Sequence, residues 1–210
     1  MPVAFTKIAF TPSVKAAQSL HGSRATYARL ECDGDAGHEF SSQEVEYIQA
    51  RDGFYQATVS ETGWPYVQFR GGPAGFLKVL DAKTLGYADF RGNRQYLSVG
   101  NVNADGRIAL ILMDYANRRR LKIWGRAKVI HEREDPDLLA RLEMPAYRAR
   151  VERAVVIAVE AFDWNCPQHI TPRFTEAEIV EWAAGMQQSL ADLEEENARL
   201  VASIQSASAR

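Results

Sequence analysis

Cysteine is scarce in this chain. Cys32 and Cys166 are the only two in 210 residues, they lie far apart, and neither belongs to a C-x-x-C or to a Cys/His ligand spacing. That excludes a disulfide framework and reads as two free thiols in a reducing compartment, so the expected location is the cytoplasm. An excess of one charge is also missing. Lys and Arg number 25 against 27 Asp and Glu, a net charge of −2. Nothing general therefore favours nucleic acid or a membrane surface, and any basic site must be local. No apolar run approaches the roughly 18 residues of a membrane span. The opening MPVAFTKIAFTPSVKAAQ lacks both the apolar core and the cleavage site of a secretory signal. G-x-G-x-x-G and G-x-x-x-x-G-K-[ST] are absent, which removes the Rossmann and P-loop nucleotide sites, and H-E-x-x-H, G-x-S-x-G and internal repeats are absent too. His21 and His38 have no companions at ligand spacing, so no metal site is expected.

What is present changes character along the chain. Residues 1–50 read as a helical, peripheral extension. Thr11 or Ser13 caps a short helix that Gly22 ends, residues 23–30 suit a second, and CDGDAGHEF is loop. Ser41 and Glu44 make a capping box before Val45, Tyr47 and Ile48. From Phe54 the apolar period becomes two. FYQATVS and PYVQFR form a hairpin around Glu61-Thr62-Gly63, and FLKVLD and LGYADF follow around DAKT. Residues 93–102 suit a short helix and NVNADGR a hairpin-like turn. RIALILMDY reads as a central strand, and RLKIWGRAKVI as a strand in which Gly125 marks a bulge. Asp135-Pro136 opens a helix before the last strand, RAVVIAVEAFDW. Six or seven strands joined by short turns predict an antiparallel barrel with outer helices, over residues 51–173.

Residues 174–210 differ in kind. Thr175 and Glu178 form a second capping box. Ile179, Met186, Leu193 and Leu200 recur every seven residues, beside Ala183, Leu190, Asn197 and Ile204. The pattern suits a coiled coil with one Asn in its seam, or a single amphipathic helix lying on its own barrel.

The chemistry concentrates in residues 64–95. Gln68, Arg70, Lys78, Arg91, Asn93, Arg94 and Gln95 sit where strands end, among Gly71, Gly72, Gly75 and Gly92. Glycines allow backbone N–H groups to approach something bulky and anionic, and a helix opening at Asn93 or Arg94 would add a positive dipole. Arg91 and Arg94 keep their charge near neutral pH and suit phosphate oxygens. Strand alternation sets Phe76, Lys78 and Leu80 on one face, with Leu77 and Val79 on the other. Lys78 then stands among apolar neighbours, where it calls for an anionic partner.

Three runs together resemble the pyridoxamine 5′-phosphate oxidase-like FMN-binding split barrels, in their oxidase-related branch. They are Pro65-x-Val67-Gln68-x-Arg70-Gly71-Gly72-Pro73, Gly75-Phe76-Leu77-Lys78-Val79-Leu80-Asp81, and Asp89-Phe90-Arg91-Gly92-Asn93-Arg94-Gln95. Asp114-Tyr115-x-Asn117-Arg118-x-Arg120-Leu121, Gly125-Arg126-Ala127 and Trp164-Asn165-Cys166-Pro167-Gln168-His169-Ile170 extend the likeness. The resemblance implies a homodimer with FMN at the subunit interface. It places Gln68, Arg70, Phe76, Leu77, Lys78, Val79, Ala88, Asp89, Gly92, Asn93, Arg94 and Gln95 around the cofactor, with Arg120 approaching the flavin from across the dimer. Asn165 and Gln168 would reach it from the partner subunit.

This chain departs from the oxidases proper in two places. Gly92-Asn93-Arg94 stands where they have Ser-Arg-Lys, and their Arg-Leu-containing ending is replaced by ITPRFT and the heptad helix. Both departures argue against pyridoxine-phosphate oxidation. The resemblance leaves three roles open: a flavin-dependent oxidoreductase of a small substrate fed by a nicotinamide donor, a flavin-binding storage or sensing module, and a split barrel for haem or a deazaflavin.

Overall fold

A computed structural model of the chain describes residues 3–31, 37–164 and 167–208. Both cysteines, Asn165 and part of the expected 32–40 loop lie outside those segments. The described residues fall into two units, 1–170 and 171–210.

The first unit is built on seven antiparallel strands. In chain order they are β1 (Gly53–Val59), β2 (Pro65–Gly71), β3 (Lys78–Asp81), β4 (Thr84–Phe90), β5 (Arg107–Asp114), β6 (Arg119–Ile130) and β7 (Val151–Trp164). Their order in the sheet is β2-β1-β5-β6-β7-β4-β3. The sheet is rolled, because side chains from its two ends meet. Phe54 of β1 packs edge-on against Tyr87 of β4, with ring centroids 5.4 Å apart, and the Tyr87 hydroxyl donates to Gln56 Oε1 at 2.6 Å. β2 and β3 do not pair, so the roll stays open along one seam. This is the expected split barrel.

One face of each strand fills the interior. Phe54, Phe76, Leu85, Tyr87, Leu110, Leu112, Leu121, Ile123 and Ile157 are buried together. β5 alternates between buried and less buried positions rather than being buried on both faces, and β6, not β5, is the middle strand. β6 and β7 slip register between Trp124 and Gly125, as the glycine suggested. A Cβ on Gly125 would stand 2.3 Å from the Ala158 carbonyl oxygen.

Four helices precede the strands: α1 (Val3–Ala9), α2 (Pro12–Leu20), α3 (Arg24–Leu30) and α4 (Ser42–Gln49). The sequence reading missed α1, which buries Phe5 against Trp124 at 4.6 Å. Thr11 caps α2 and Ser41 caps α4 through the expected box. The peripheral reading fails from residue 40 onward. Phe40, Tyr47 and Ile48 are part of the core. The Tyr47 hydroxyl donates to the carbonyls of Leu112 and Arg119, both at 3.1 Å, and burial pushes its pKa up to about 12. The Trp164 indole donates to Glu44 at 2.7 Å, so the capping glutamate also ties α4 to the last strand. No single-residue pattern announced this, because Tyr47 meets its partners only across the fold.

Two shorter helices lie between strands, α5 (Leu97–Ala104) and α6 (Pro136–Leu142), the second capped by Asp135. The expected turn at NVNADGR is half helix, since Asn101 to Ala104 close α5 and only Gly106, at φ 76°, turns the chain.

The second unit is one helix, α7 (Glu176–Ser208), 33 residues long. Its capping box forms as read: Thr175 N–H and Oγ donate to Glu178 Oε2 at 2.7 and 2.9 Å. No helix among the described residues is long and apolar enough to cross a membrane.

Gly125→Ala should be costly, because the obstacle is backbone on the neighbouring strand and not a movable side chain. A loss of about 2 kcal/mol or more in urea unfolding is expected, with an unchanged denaturant slope.

Candidate functional site

The inner row of β2 is Tyr66, Gln68 and Arg70. Its alternation turns these three to one side and Pro65, Val67, Phe69 and Gly71 to solvent. Opposite the row lie the end of β4 and the loop leading to α5. Between them opens a cleft of about 320 Å³, lined by Tyr66, Gln68, Arg70, Asp89, Phe90, residues 92–99 and Glu152. Clefts of this size lie at the lower end of the small-molecule range.

The loop has an unexpected shape. Asn93 and Arg94 do not open a helix; α5 begins at Leu97. Arg94 and Tyr96 both hold positive φ, 63° and 57°, a region that non-glycine residues rarely occupy. Gly92 is not the hinge, and a Cβ there would meet open space. The Asn93 side chain accepts from the Gln95 N–H at 3.1 Å, which holds the bend. The first-turn N–H groups of α5, which have no helical partners, therefore belong to Leu97, Ser98 and Val99, and all three residues line the cleft. Ser98 Oγ donates to Gln68 Oε1 at 2.9 Å and fastens this turn to β2.

A charged network forms the floor. Arg70 donates to Asp89 at 2.6 Å, and Arg153 approaches the other Asp89 oxygen at 3.6 Å. Arg153 is buried, only 8% exposed, and its Nε has no hydrogen-bond partner. Its guanidinium lies 4.7 Å from the centre of the Tyr96 ring. The Tyr96 hydroxyl takes a bond from Arg94 at 3.2 Å and donates to Glu152 at 3.3 Å, and Arg91 stands 3.8 Å from Glu152. Arg70, Arg94, Asp89 and Glu152 line the cleft, and Arg91 and Arg153 adjoin it through the two carboxylates, so the network as a whole carries an excess of two positive charges. Burial pushes the Asp89 carboxyl above its ordinary value of 3.8, against the pull of Arg70 and Arg153.

Of the residues named from sequence, Gln68, Arg70, Asp89, Gly92, Asn93, Arg94 and Gln95 meet at this cleft. The others are placed elsewhere. Phe76 and Leu77 are both buried in the core ahead of β3, so the expected alternation does not include them. Val79 packs on that core, and Ala88 belongs to a smaller cluster with Leu139 and Leu142. Lys78 needs no anion. Its ammonium donates to the carbonyls of Arg141 and Glu143, at 2.7 and 3.3 Å, where α6 ends. Helix ends leave such carbonyls without partners, and a cation is favoured there. Arg120 sits in the β5–β6 ladder opposite Met113, and Gln168 is exposed in a turn after β7.

The glycines 71, 72 and 75 are engaged within the chain itself. Gly72 and Gly75 donate to the carbonyls of Asp52 and Arg51, while Gly53 and Gly71 make room for the Phe69 ring. Sequence reasoning missed Tyr66, Tyr96, Ser98, Glu152 and Arg153. Tyr66 was available from the β2 alternation. Arg153 was not, because it meets Asp89 only through the β4–β7 register, where the two are direct partners.

A family model described as pyridoxamine 5′-phosphate oxidase matches residues 41–165. No curated protein matches the chain. Several solved structures do. A putative pyridoxamine 5′-phosphate oxidase from Lactobacillus delbrueckii is 22% identical, with 60% of this chain and 94% of that one covered and a TM-score of 0.46. HupZ of Group A Streptococcus is 18% identical, with 64% and 100% covered and a TM-score of 0.49. An FMN-binding protein from Syntrophomonas wolfei is 9% identical, with 70% and 97% covered and a TM-score of 0.46. The family assignment rests on the model match and not on these distant likenesses.

The raised Asp89 pKa has a measurable sign. A carboxyl that binds its proton more tightly when folded adds stability below its unfolded value of 3.8 and loses it as pH rises through the raised folded value. Relative to wild type, Asp89→Asn should therefore gain stability as pH climbs from below 4 toward neutrality. Urea unfolding across that range checks the slope, and a constant difference between the two proteins refutes it.

Proposed function

The chain belongs to the pyridoxamine 5′-phosphate oxidase family, and from that premise we propose that it binds FMN in the cleft between β2 and α5 and acts as a flavin-dependent oxidoreductase on a small substrate. The observation that carries this reading is the convergence there of a net positive network and the first turn of a helix. A phosphate monoester carries about −1.5 to −2 charges near neutral pH, which matches an excess of two guanidinium groups. The Nε of Arg153, 3.6 Å from Asp89 and without a hydrogen-bond partner, is the kind of buried donor such an excess leaves behind.

Within this reading Arg94, together with the N–H groups of Leu97 and Val99, holds the phosphate. Gln68 and Asn93 supply amides for the polar chain or the ring edge, and Tyr66 and Phe90 offer aromatic surface. Bound FMN would supply the redox chemistry, with a nicotinamide nucleotide as the donor class. The protein contributes position, charge and exclusion of water. Arg70 acts through Asp89, whose carboxylate it keeps from repelling an anion.

Two copies are part of the proposal. Tyr55, Val67, Phe69 and Ile111 leave an exposed apolar face on the outside of β2, β1 and β5, a surface a second copy would cover. Gln168 would then reach the cleft from the partner subunit.

Purified protein mixed with FMN should retain a yellow, non-covalent chromophore after gel filtration. Arg94→Ala should weaken its retention by roughly 10- to 100-fold, the worth of one charge-assisted contact. Lys78→Ala should leave FMN affinity within about twofold and lower stability instead, because its ammonium closes the end of α6. A protein that takes up no FMN, or takes up haem or a deazaflavin in its place, overturns the cofactor reading.

A further inference from the structure

Helix α7 has no part in the flavin proposal, yet its surface is highly ordered in sequence. At 33 residues it is about 50 Å long. Two side-chain pairs lie on one side of it. Gln188 donates to Asp192 at 2.8 Å and Arg199 pairs with Glu195 at 2.6 Å, each one turn apart. The opposite side is an open apolar row. Met186, Leu190, Leu193 and Ile204 are 54%, 58%, 62% and 64% exposed in the single chain.

Spacing gives this row its register. Ile179, Met186, Leu193 and Leu200 each precede a member of the second series by four residues, and the last three also follow one by three. In a heptad, that puts the first series at d and Ala183, Leu190, Asn197 and Ile204 at a. Asn197 is the one polar member of the seam. In an antiparallel pair an a residue meets a d residue of the other helix, so its amide would be buried against apolar groups at full desolvation cost. In a parallel, in-register pair it meets itself, and one amide donates to the other. A partner of unrelated sequence would need a polar group placed opposite Asn197, whereas a second copy supplies it by construction.

The flanking positions agree. Parallel pairing sets Trp182 beside Gln187, Ser189 beside Glu194 and Glu196 beside Val201 of the other chain, with no like charges opposed. We propose that α7 pairs with α7 of a second copy of this chain as a parallel, in-register two-stranded coiled coil, with Asn197 bonded to the partner's Asn197.

The full chain tests this directly. Leu200→Cys under oxidised glutathione should give a disulfide that links position 200 of one copy to position 200 of another, identified by the mass of the digested peptide. When Leu200→Cys and Ala183→Cys chains are mixed, like should link with like. Links between positions 183 and 200, or no link at position 200, overturn the proposal. Asn197→Asp in the Leu200→Cys background sets two carboxylates face to face and should cut the link yield about tenfold. Arg199→Ala, on the outer side, should not change it. Equal yields from the two variants overturn the role given to Asn197. None of these changes falls in the cleft, so FMN uptake by the same proteins reads out the flavin proposal separately.

Discussion

The fold depends on contacts made across the seam where the sheet fails to close. β2 and β4 stand near opposite ends of the strand order, and no backbone bond joins them. What brings this end of the sheet onto β4 is a short column of inward side chains: the edge-on contact of Phe54 with Tyr87 and the bond from Tyr87 to Gln56, which join β1 to β4, and the ion pair of Arg70 and Asp89, which joins β2 to β4. The first two are buried and set the curvature of the roll. The third lies at the mouth, where burial is incomplete and Arg153 adds a second cation. The cleft is the place where curvature brings the strands close but not close enough to pair. Its polarity follows, because the last residues of that column must satisfy one another without a ladder to help them.

Much of the framework was legible in sequence because it is set by short-range physics. Capping boxes at Ser41 and Thr175, the hairpin glycine Gly63, the bulge at Gly125 and the period-two runs all act within a few residues of themselves. The site was legible only where strand alternation or loop composition marked it, as at Gln68, Arg70 and Arg94. The departures share one cause. Lys78 was read from its neighbours in sequence, whereas its partners are carbonyls 63 and 65 residues away. Gly71 and Gly72 were read as room for a ligand but give room to Phe69 and Phe76. A lysine on a strand and a glycine in a turn each have several uses, and only the tertiary register chooses among them.

The loop between β4 and α5 shows how an irregular segment can be held firmly. Two non-glycine residues sit in the left-handed region within three positions, at a cost of about 1 kcal/mol or more each. They persist because both side chains are engaged: Tyr96 lies under the Arg153 guanidinium and bonds Glu152, and Arg94 bonds the Tyr96 hydroxyl. A helix opening at Asn93, as the sequence suggested, would have aimed its first N–H groups elsewhere. Delaying it to Leu97 turns them toward β2.

An unclosed roll has two rims, and each rim is a template onto which a foreign strand can be added. β3 is only four residues long and begins with a lysine, and β2 opens on Pro65, which has no N–H to offer. Short length, a cation and a proline are the features that discourage edge-to-edge growth into aggregates. The open seam is thus also a hazard, and the composition of its two borders guards against it.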